Sequence, residues 1–340
     1  MKNKILPCLA VICSICMTSC SEESTRFSVF IYSKTDTFIN SIKDKIIQKI
    51  GSEYDMPLVR FAESSQIIQN EQIVEVLDKK MTNFLLVNVV DRLASSSIIE
   101  KAKISNVPVI FFNREPLVKD LIYSENAYYV GTSPESEGRL QGEFVNSIFN
   151  SPEEFAKSKF DRNGDGELGI VLLKGSLNHQ DSELRCEESI GVLTRYGYKI
   201  KILSAPFCNW DREVASKSFE QLYKEYDKSI DLLISANDDM ALGAIDYLKK
   251  TENYDFREEI IDQFFPVVGI DATETGTQSV DRGELTGTVI NDSQAQAEAI
   301  LDLVHCILEP DKYKWEDFPH TFDNEKFIHL KPKLYERKNL

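Results

Sequence analysis

Residues 161–185 read DRNGDGELGIVLLKGSLNHQDSELR and combine an oxygen-rich loop, an apolar run and a polar cluster. The run LGIVLL is short, branched and free of charge, which predicts a buried strand. Lys174-Gly175 interrupts it, and the polar residues that follow have the features of a helix start. In open α/β sheets, loops at the carboxyl ends of strands hold the ligand, so this order indicates a binding site.

Strand-like runs alternate with helical periods from Phe27 onward, which predicts parallel α/β units. One series ends at AYYVGT (127–132), and a second follows with helices predicted over 134–149 and 180–196. A chain of 340 residues exceeds the usual size of one core. The predicted fold class is therefore α/β, with two doubly wound parallel-sheet lobes joined by a hinge.

The N-terminal stretch MKNKILPCLAVICSICMTSC has a basic start, an apolar run and small residues before Cys20. The run is too short for a mature membrane span and indicates an export signal. Its last four residues resemble the cleavage box of bacterial lipoproteins, with Cys20 as the lipidated residue. We expect an exported protein at the periplasmic face or cell surface, held to a bacterial membrane only through lipid.

The formal net charge is −16, and it becomes −18 once Lys2 and Lys4 leave with the signal. Such acidity argues against a nucleic-acid partner, because phosphates need cationic side chains. Cys186, Cys208 and Cys306 have no CxxC spacing, so neither a zinc site nor a redox motif is indicated. One disulfide among them is open in an oxidising compartment, although free buried thiols fit better.

Polar residues follow five predicted strands, spread over both halves of the chain. They are Asp36, Asn113, Asn237-Asp238, Asp271 and Asn291-Asp292. Any one of them alone is more often a turn former or a helix cap. Their repetition at strand ends favours one shared cleft.

A cleft that also receives His179, Asp181 and Arg185 offers many acceptors and donors, which suits a ligand rich in hydroxyls such as a sugar. The C–H face of a sugar packs on aromatic rings, and each half supplies one candidate, Phe38 and Trp210. The alternative is that both are core aromatics, which is more plausible for Phe38.

Asp161, Asn163 and Asp165 alternate along the first loop and Gly166 follows, which is the first half of a calcium loop. The twelfth position, where an EF-hand needs glutamate, is Leu172, so the loop is not an EF-hand. Either a carboxylate from elsewhere in the chain completes a calcium cage, or the loop is a solvated turn.

The chain is similar to the periplasmic galactose/glucose-binding proteins of ABC sugar transporters, which have the type I periplasmic binding fold. The similarity runs from Phe27 to about residue 310 and rests on VNVVD, VPVIFFNREP, AYYVGT, H-x-D-x-E-x-R, ANDDMALGA, VVGIDA and GTVINDSQAQA. It implies a bound hexose, D-galactose and/or D-glucose, with Phe38 and Trp210 sandwiching the ring. The implied hydrogen-bonding residues are Asp36, Asn113, His179, Asp181, Arg185, Asn237, Asp271 and Asn291.

The same resemblance implies a structural Ca²⁺ in the second lobe. Its implied ligands are Asp161, Asn163, Asp165, the backbone carbonyl of Glu167 and the distant Asp231. Two positions depart from the family pattern, because Gly169 stands where a side-chain amide is expected and Asp231 is shorter than the usual glutamate. We therefore expect weakened calcium binding.

The resemblance also sets the expected organisation and partners. We expect a signal peptide (1–19), a tether (20–26), an N-terminal lobe (27–131 plus 292–326) and a C-terminal lobe (132–291 plus 327–340). Closure on the sugar would present both lobes of a monomer to a membrane permease. A chemoreceptor could read the same closed form, as could a surface lipoprotein without a transport role.

Two other classes fit the sequence less well. A glycosidase could use His179, Asp181 and Glu183 as acid/base groups, but the chain has no nucleophile elbow, catalytic pair or phosphate loop. A sugar-responsive repressor would need an N-terminal helix-turn-helix and a basic face. We therefore predict that the protein is not an enzyme.

Overall fold

The computed structural model describes residues 25–177, 179–251 and 265–337. Within these ranges the chain forms two α/β lobes, each built on a sheet with helices on both faces. The predicted signal peptide, Cys20 and most of the tether lie outside the described residues. Over the described part, we find no helix with the length and apolar character needed to cross a membrane.

The N-terminal lobe is organised by a parallel sheet. Its strands are β1 (Phe27–Ile31), β2 (Leu58–Phe61), β3 (Phe84–Val87), β4 (Val109–Phe112), β5 (Ala127–Thr132) and β11 (Phe327–Leu330), in the order β11-β5-β4-β3-β1-β2. Its helices are α1 (Thr37–Glu53), α2 (Gln66–Asp78), α3 (Ser95–Ile104), α4 (Val118–Ile122) and α11 (Ser293–Leu308). Residues of α1 and α11 cover one face and those of α2 and α3 the other. This double cover explains why strands such as β3 are apolar at every position.

The C-terminal lobe repeats the plan. Its strands are β6 (Leu168–Leu173), β7 (Ile200–Ser204), β8 (Leu232–Ser235), β9 (Val267–Asp271), β10 (Gly287–Ile290) and β12 (Lys333–Glu336), in the order β12-β10-β9-β8-β6-β7. Its helices are α5 (Pro134–Phe149), α6 (Pro152–Phe155), α7 (Gln180–Tyr196), α8 (Arg212–Tyr226), α9 (Asp238–Leu248) and α10 (Glu274–Asp281). Strand β12 is antiparallel to β10, whereas the other pairs in this sheet are parallel.

The chain passes between the lobes after β5, after β10 and between β11 and β12. The first two passages agree with the expected positions to within one residue. The third corrects the predicted boundary at 326/327, because Phe327–Leu330 pairs with β5 and belongs to the N-terminal lobe. Within the described part of the tail, which ends at residue 337, Lys333–Glu336 is the segment that joins the C-terminal sheet. The tail therefore contributes one strand to each lobe.

The three cysteines of the described chain, Cys186, Cys208 and Cys306, are free and buried. This confirms that they act as small apolar residues and do not form a disulfide with one another.

Candidate functional site

A polar cavity lies between the lobes, where the carboxyl ends of the two sheets face each other. Nine of the ten predicted sugar-binding residues line it: Asp36, Phe38, Asn113, His179, Asp181, Arg185, Trp210, Asn237 and Asp271. The first three belong to the N-terminal lobe and the other six to the C-terminal lobe. A ligand in this cavity would therefore contact both lobes.

Helix starts aim two of these side chains at the cavity. Asp36 is the N-cap of α1 and its Oδ1 accepts from the backbone N–H of Ile39 at 2.9 Å. Asn237 caps α9 in the same way, with Oδ1 accepting from Met240 at 2.9 Å. A cap residue uses one oxygen for the helix and leaves its remaining polar atoms toward the strand end. Capping and binding are thus compatible at these positions.

Arg185 is the central cation of the cavity and is 4% exposed. Its Nε donates to Glu137 Oε2 at 2.7 Å, and its Nη1 donates to the carbonyl of Ala236 at 2.7 Å. Its Nη2 lies 3.5 Å from Asp271 Oδ1. Burial would lower the pKa of Arg185, but the carboxylates of Glu137 and Asp271 raise it, so the guanidinium stays charged.

The acidic groups around Arg185 are shifted toward their neutral forms. Burial raises the pKa of Glu137 to about 7, although Arg185 opposes that shift. Burial also raises the pKa of Asp181 and of Asp271, again against the effect of Arg185. Burial thus favours the uncharged carboxyl forms in a cavity that Arg114 and Arg185 both line. Such a site suits an uncharged ligand with hydroxyl groups.

His179 and Trp210 form an aromatic wall, with ring centroids 5.0 Å apart and planes at 79°. Burial, followed by the charges of Arg114 and Arg185, lowers the pKa of His179, so its imidazole is neutral. Gly175 makes room for the indole, since a Cβ there would lie 2.2 Å from a Trp210 ring carbon. The wall depends on that glycine.

Three buried polar atoms of this cavity have no hydrogen-bond partner among the described residues: His179 Nδ1, Trp210 Nε1 and Asp271 Oδ1. Buried polar atoms are nearly always satisfied in folded proteins, so each of these calls for a ligand group. The indole N–H donates only and the carboxylate accepts when ionised. A group that both donates and accepts, such as a hydroxyl, satisfies this set.

Backbone strain collects at the same place. Asn113 has φ 61°, Trp210 has φ 63° and Asp271 has φ 110°. Asparagine and aspartate tolerate the left-handed region, whereas a bulky residue such as tryptophan rarely adopts it. Residues held in these conformations cluster at binding and catalytic sites, where the fold enforces a particular side-chain direction.

Asn291 is the predicted sugar-binding residue that does not line the cavity. Its Oδ1 accepts from Thr132 Oγ1 at 2.9 Å and from Gln296 Nε2 at 2.7 Å. Since Thr132 ends β5 and Asn291 follows β10, this hydrogen bond joins two passages between the lobes. The sugar contact of Asn291 stays a prediction.

Three participants were missed by sequence reasoning. Tyr32 lines the cavity and donates from its hydroxyl to Asp36 Oδ2 at 2.5 Å, and the Arg114 guanidinium lies 3.8 Å from the centre of its ring. Glu137 does not line the cavity but accepts a hydrogen bond from Arg185. Tyr32 and Arg114 directly adjoin predicted strand ends, which could have identified them. Glu137 had no comparable signal, because it lies within a helix.

The implied calcium ligands Asp161, Asn163, Asp165 and Glu167 lie in the loop before β6, and Asp231 directly precedes β8. Asp231 approaches the loop, since its Oδ1 accepts from the N–H of Arg162 at 3.0 Å. Within the described ranges, however, no group of three or more His, Cys, Asp or Glu residues has a metal-holding arrangement. Weakened calcium binding stays a prediction.

Two α/β lobes around a polar interlobe cavity define a bilobal solute-binding protein. The sequence profile of the family described as "Periplasmic binding protein domain" matches residues 27–312. The D-galactose/methyl-galactoside binding periplasmic protein MglB of Haemophilus influenzae is 33% identical over 299 residues, covering 86% of this chain and 85% of that protein. The chain belongs to the periplasmic binding protein family. It is a solute-binding protein and not an enzyme, and the family implies an exported periplasmic protein.

Solved structures share the fold. A periplasmic solute-binding protein from Actinobacillus succinogenes with bound D-allose has a TM-score of 0.73 at 17% identity, covering 92% of this chain and 98% of that one. A solute-binding protein from Bacillus halodurans with bound myo-inositol has a TM-score of 0.72 at 20% identity, covering 93% and 96%. The predicted fold class, two parallel-sheet α/β lobes of the type I periplasmic binding fold, is confirmed.

Proposed function

We propose that the protein captures a hexose, D-galactose and/or D-glucose, in the interlobe cavity and delivers it to an ABC permease. The observation that carries the proposal is the set of buried polar atoms on His179, Trp210 and Asp271 that make no hydrogen bond to the described residues. They surround a space whose other polar groups are carboxyls, amides, a phenol hydroxyl and the guanidinium groups of Arg114 and Arg185. Sugar hydroxyls can donate to the carboxyls and accept from the indole and guanidinium.

The two aromatic residues support a pyranose in particular. Trp210 lies on the C-terminal side of the cavity and Phe38 on the N-terminal side. Phe38 is 6% exposed and belongs to the apolar core of its lobe. Its ring would therefore both pack in the core and contact the ligand. A ring with C–H faces would bury apolar surface on both.

The relatives support a sugar but not a single one. The Haemophilus influenzae relative is named for D-galactose and methyl-galactoside. A Mycolicibacterium smegmatis protein, 28% identical over 149 residues and matching 44% of this chain, is named for xylitol. We favour a hexose because all ten residues that the resemblance implies as sugar-binding are of the type that the galactose/glucose-binding proteins use.

Calorimetric titration of residues 21–340, refolded to remove endogenous ligand, tests the hexose. We expect D-galactose or D-glucose to bind with a Kd of about 1 µM or lower. D-Ribose and myo-inositol should bind at least about 100-fold more weakly, because they leave buried polar groups unpaired. Tighter binding of a pentose or a polyol would contradict the hexose, and no heat with any sugar from a folded protein would contradict the proposal.

Delivery to a permease and lipid anchoring at Cys20 need cellular tests. We expect deletion of the gene to abolish high-affinity uptake of the bound sugar. Cys20→Ser should release the protein from the membrane fraction and leave sugar binding by the purified protein unchanged. Normal uptake together with lost taxis would assign the protein to sensing instead of transport.

A further inference from the structure

The loop at residues 161–169, called here the 161–169 loop, satisfies its own oxygen atoms. Asp161 accepts from the N–H groups of Gly164 and Gly166, each at 2.9 Å. Asn163 donates from Nδ2 to Asp165 Oδ2 at 2.9 Å, and so directs N–H atoms toward the carboxylate. A cation bound by both side chains would have to break this contact.

The ninth position of the loop has no room for a ligand side chain. A Cβ on Gly169 would lie 1.9 Å from the carbonyl oxygen of Ser229 and 3.1 Å from Asp231 Oδ2. Real Cβ atoms do not approach a backbone oxygen so closely, so glycine is required here. The close approach lets Gly169 N donate to Asp231 Oδ2 at 2.8 Å. A direct hydrogen bond thus stands at the position where the resemblance implies a metal ligand.

Asp231 is fully buried, and each of its oxygens binds one end of the loop. Oδ2 accepts from Gly169, and Oδ1 accepts from the N–H of Arg162 at 3.0 Å. The shorter side chain of aspartate therefore reaches the backbone of the loop itself. It holds the loop without an intervening ion.

Arg162, at the second loop position, supplies a positive charge at this junction. Its side chain is 2% exposed, and Nη1 donates to the carbonyls of Asp227 at 2.6 Å and Ile230 at 3.0 Å. Its Nη2 lies 3.5 Å from Asp227 Oδ1, and its guanidinium lies over the Phe265 ring at 5.3 Å. A planar guanidinium with several directed donors is suited to such a multidentate buried contact.

We propose that Arg162 replaces a metal ion in this lobe, which goes further than the weakened calcium binding expected from the sequence. The guanidinium and the Asp231 carboxylate together join the 161–169 loop to residues 227–231, the connection that a bound calcium would otherwise provide. The stability of the C-terminal lobe is then independent of calcium. This inference does not rest on the identity of the sugar.

Thermal melts and calcium calorimetry on residues 21–340 test the independence from metal. After exhaustive dialysis against EDTA, we expect the Tm in excess EDTA and in millimolar CaCl₂ to agree within about 1 °C. Titration with CaCl₂ should give no saturable heat. A Tm higher by about 3 °C or more in calcium, or saturable binding, would overturn the proposal.

Arg162→Leu tests the role of the guanidinium, with Arg195→Leu as the matched control. Arg195 is exposed, and its ion pair with Glu188 is long, at 3.7 Å, so it contributes little to stability. We expect R162L to lower the Tm by about 5 °C or more, because the hydrogen bonds of the buried guanidinium to the carbonyls of Asp227 and Ile230 are lost, and R195L to change it by less than about 1 °C. Calcium should not restore R162L. Equal melting of the two variants, or rescue of R162L by calcium, would contradict the proposal.

Arg162→Lys covers the case in which R162L does not fold. Lysine keeps the charge but presents a single ammonium, which cannot reach both carbonyls and the Asp227 carboxylate with the same geometry. We expect R162K to melt below the unaltered protein in both EDTA and calcium. A variant that melts as high as the unaltered protein would show that the guanidinium contacts are dispensable.

Discussion

Arg185 connects binding to stability at the scale of single residues. It is buried among Glu137, Asp181 and Asp271, and it lies 6.0 Å from the ring of Trp210. Removing one partner of such a cluster leaves a buried group unpaired, which costs more than the net value of the contact. The cluster therefore orders the cavity before the ligand arrives. That preorganisation reduces the entropy lost on binding.

The raised pKa of Glu137 gives a pH dependence with a definite sign. The folded protein holds a proton on this group up to about pH 7, whereas the unfolded chain releases it near its ordinary value of 4.5. Stability from the protonated form is thus present below the unfolded pKa and is lost as pH rises toward 7. Relative to Glu137→Gln, the unaltered protein should lose about 2 kcal/mol of unfolding free energy between pH 5 and 8.

Chemical denaturation of both proteins across this pH range measures the effect. Glu143→Gln, on the exposed side of the same helix, is the control and should follow the unaltered protein. Parallel pH profiles for the unaltered protein and E137Q would show that Glu137 does not titrate in this range.

Close contact between α5 and α7 fixes the position of Arg185 at the scale of elements. A Cβ on Gly138 would lie 2.3 Å from the Arg185 carbonyl oxygen, and one on Gly142 would lie 2.7 Å from the Ser189 carbonyl oxygen. Ser189 Oγ donates to the Gly138 carbonyl at 2.9 Å, across the same contact. Two glycines one turn apart thus allow the helix backbones to approach.

Gly138→Ala should therefore displace α7 together with Arg185. We expect a loss of about 2 kcal/mol in unfolding free energy from overpacking. Sugar affinity should fall about tenfold, the effect of losing one good hydrogen bond. Denaturant unfolding and calorimetry measure the two quantities.

Gly191→Ala is the matched control in α7. A Cβ there meets only the flexible Arg195 Nη1, at 3.2 Å. Because alanine favours the helix, G191A should keep its sugar affinity and gain up to about 1 kcal/mol. A G138A protein with unchanged affinity would separate the helix contact from the site.

The periodic elements were predictable from the sequence, because their apolar pattern matches their burial. Strands β5 and β6 and helices α5 and α7 have the predicted bounds. The tail strands β11 and β12 were not predicted, since their pairing with β5 and β10 is set by tertiary contacts and not by local pattern. The lobe boundary in the tail was wrong for that reason.

The site was predictable where a polar residue ends a strand, as at Asp36, Asn113 and Asp271. It was not predictable where burial decides the role. Glu137 looks like any helical glutamate in the sequence, and only the packing of α5 on α7 places it against Arg185. Asn291 follows a strand as the pattern requires, yet its Oδ1 accepts from Thr132 at a passage between the lobes and the residue does not line the cavity.

At the scale of the whole molecule, the lobes touch across the mouth of the cleft. Thr37 Oγ1, at the start of α1, donates to Asp239 Oδ2 in α9 at 2.6 Å. Asp239 is 8% exposed, and burial raises its pKa while the bond from Thr37 opposes this. This hydrogen bond between lobes belongs to the closed arrangement, and opening the hinge would break it.

Thr37→Val removes that bond without touching the cavity lining. We expect sugar affinity to fall about fivefold, mainly through faster dissociation, because one net hydrogen bond of about 1 kcal/mol is lost. Stopped-flow dissociation rates measure this. Thr35→Val alters a hydroxyl that hydrogen-bonds Ser33 of its own lobe, so this variant should dissociate at the original rate. Equal rates for T37V and the unaltered protein would contradict a role in closure.

We propose that one sugar is held between the two lobes, and a calorimetric titration of one variant in each lobe tests this most directly. Asp36→Ala and Asp271→Ala should each weaken binding of D-galactose or D-glucose by at least about 100-fold, because each removes a carboxyl group that can hydrogen-bond the sugar hydroxyls in the cavity. Asp78→Ala, at an exposed position, should bind as the unaltered protein does. If only one of the two cavity variants loses affinity while both stay folded, the ligand sits on a single lobe and the account is contradicted.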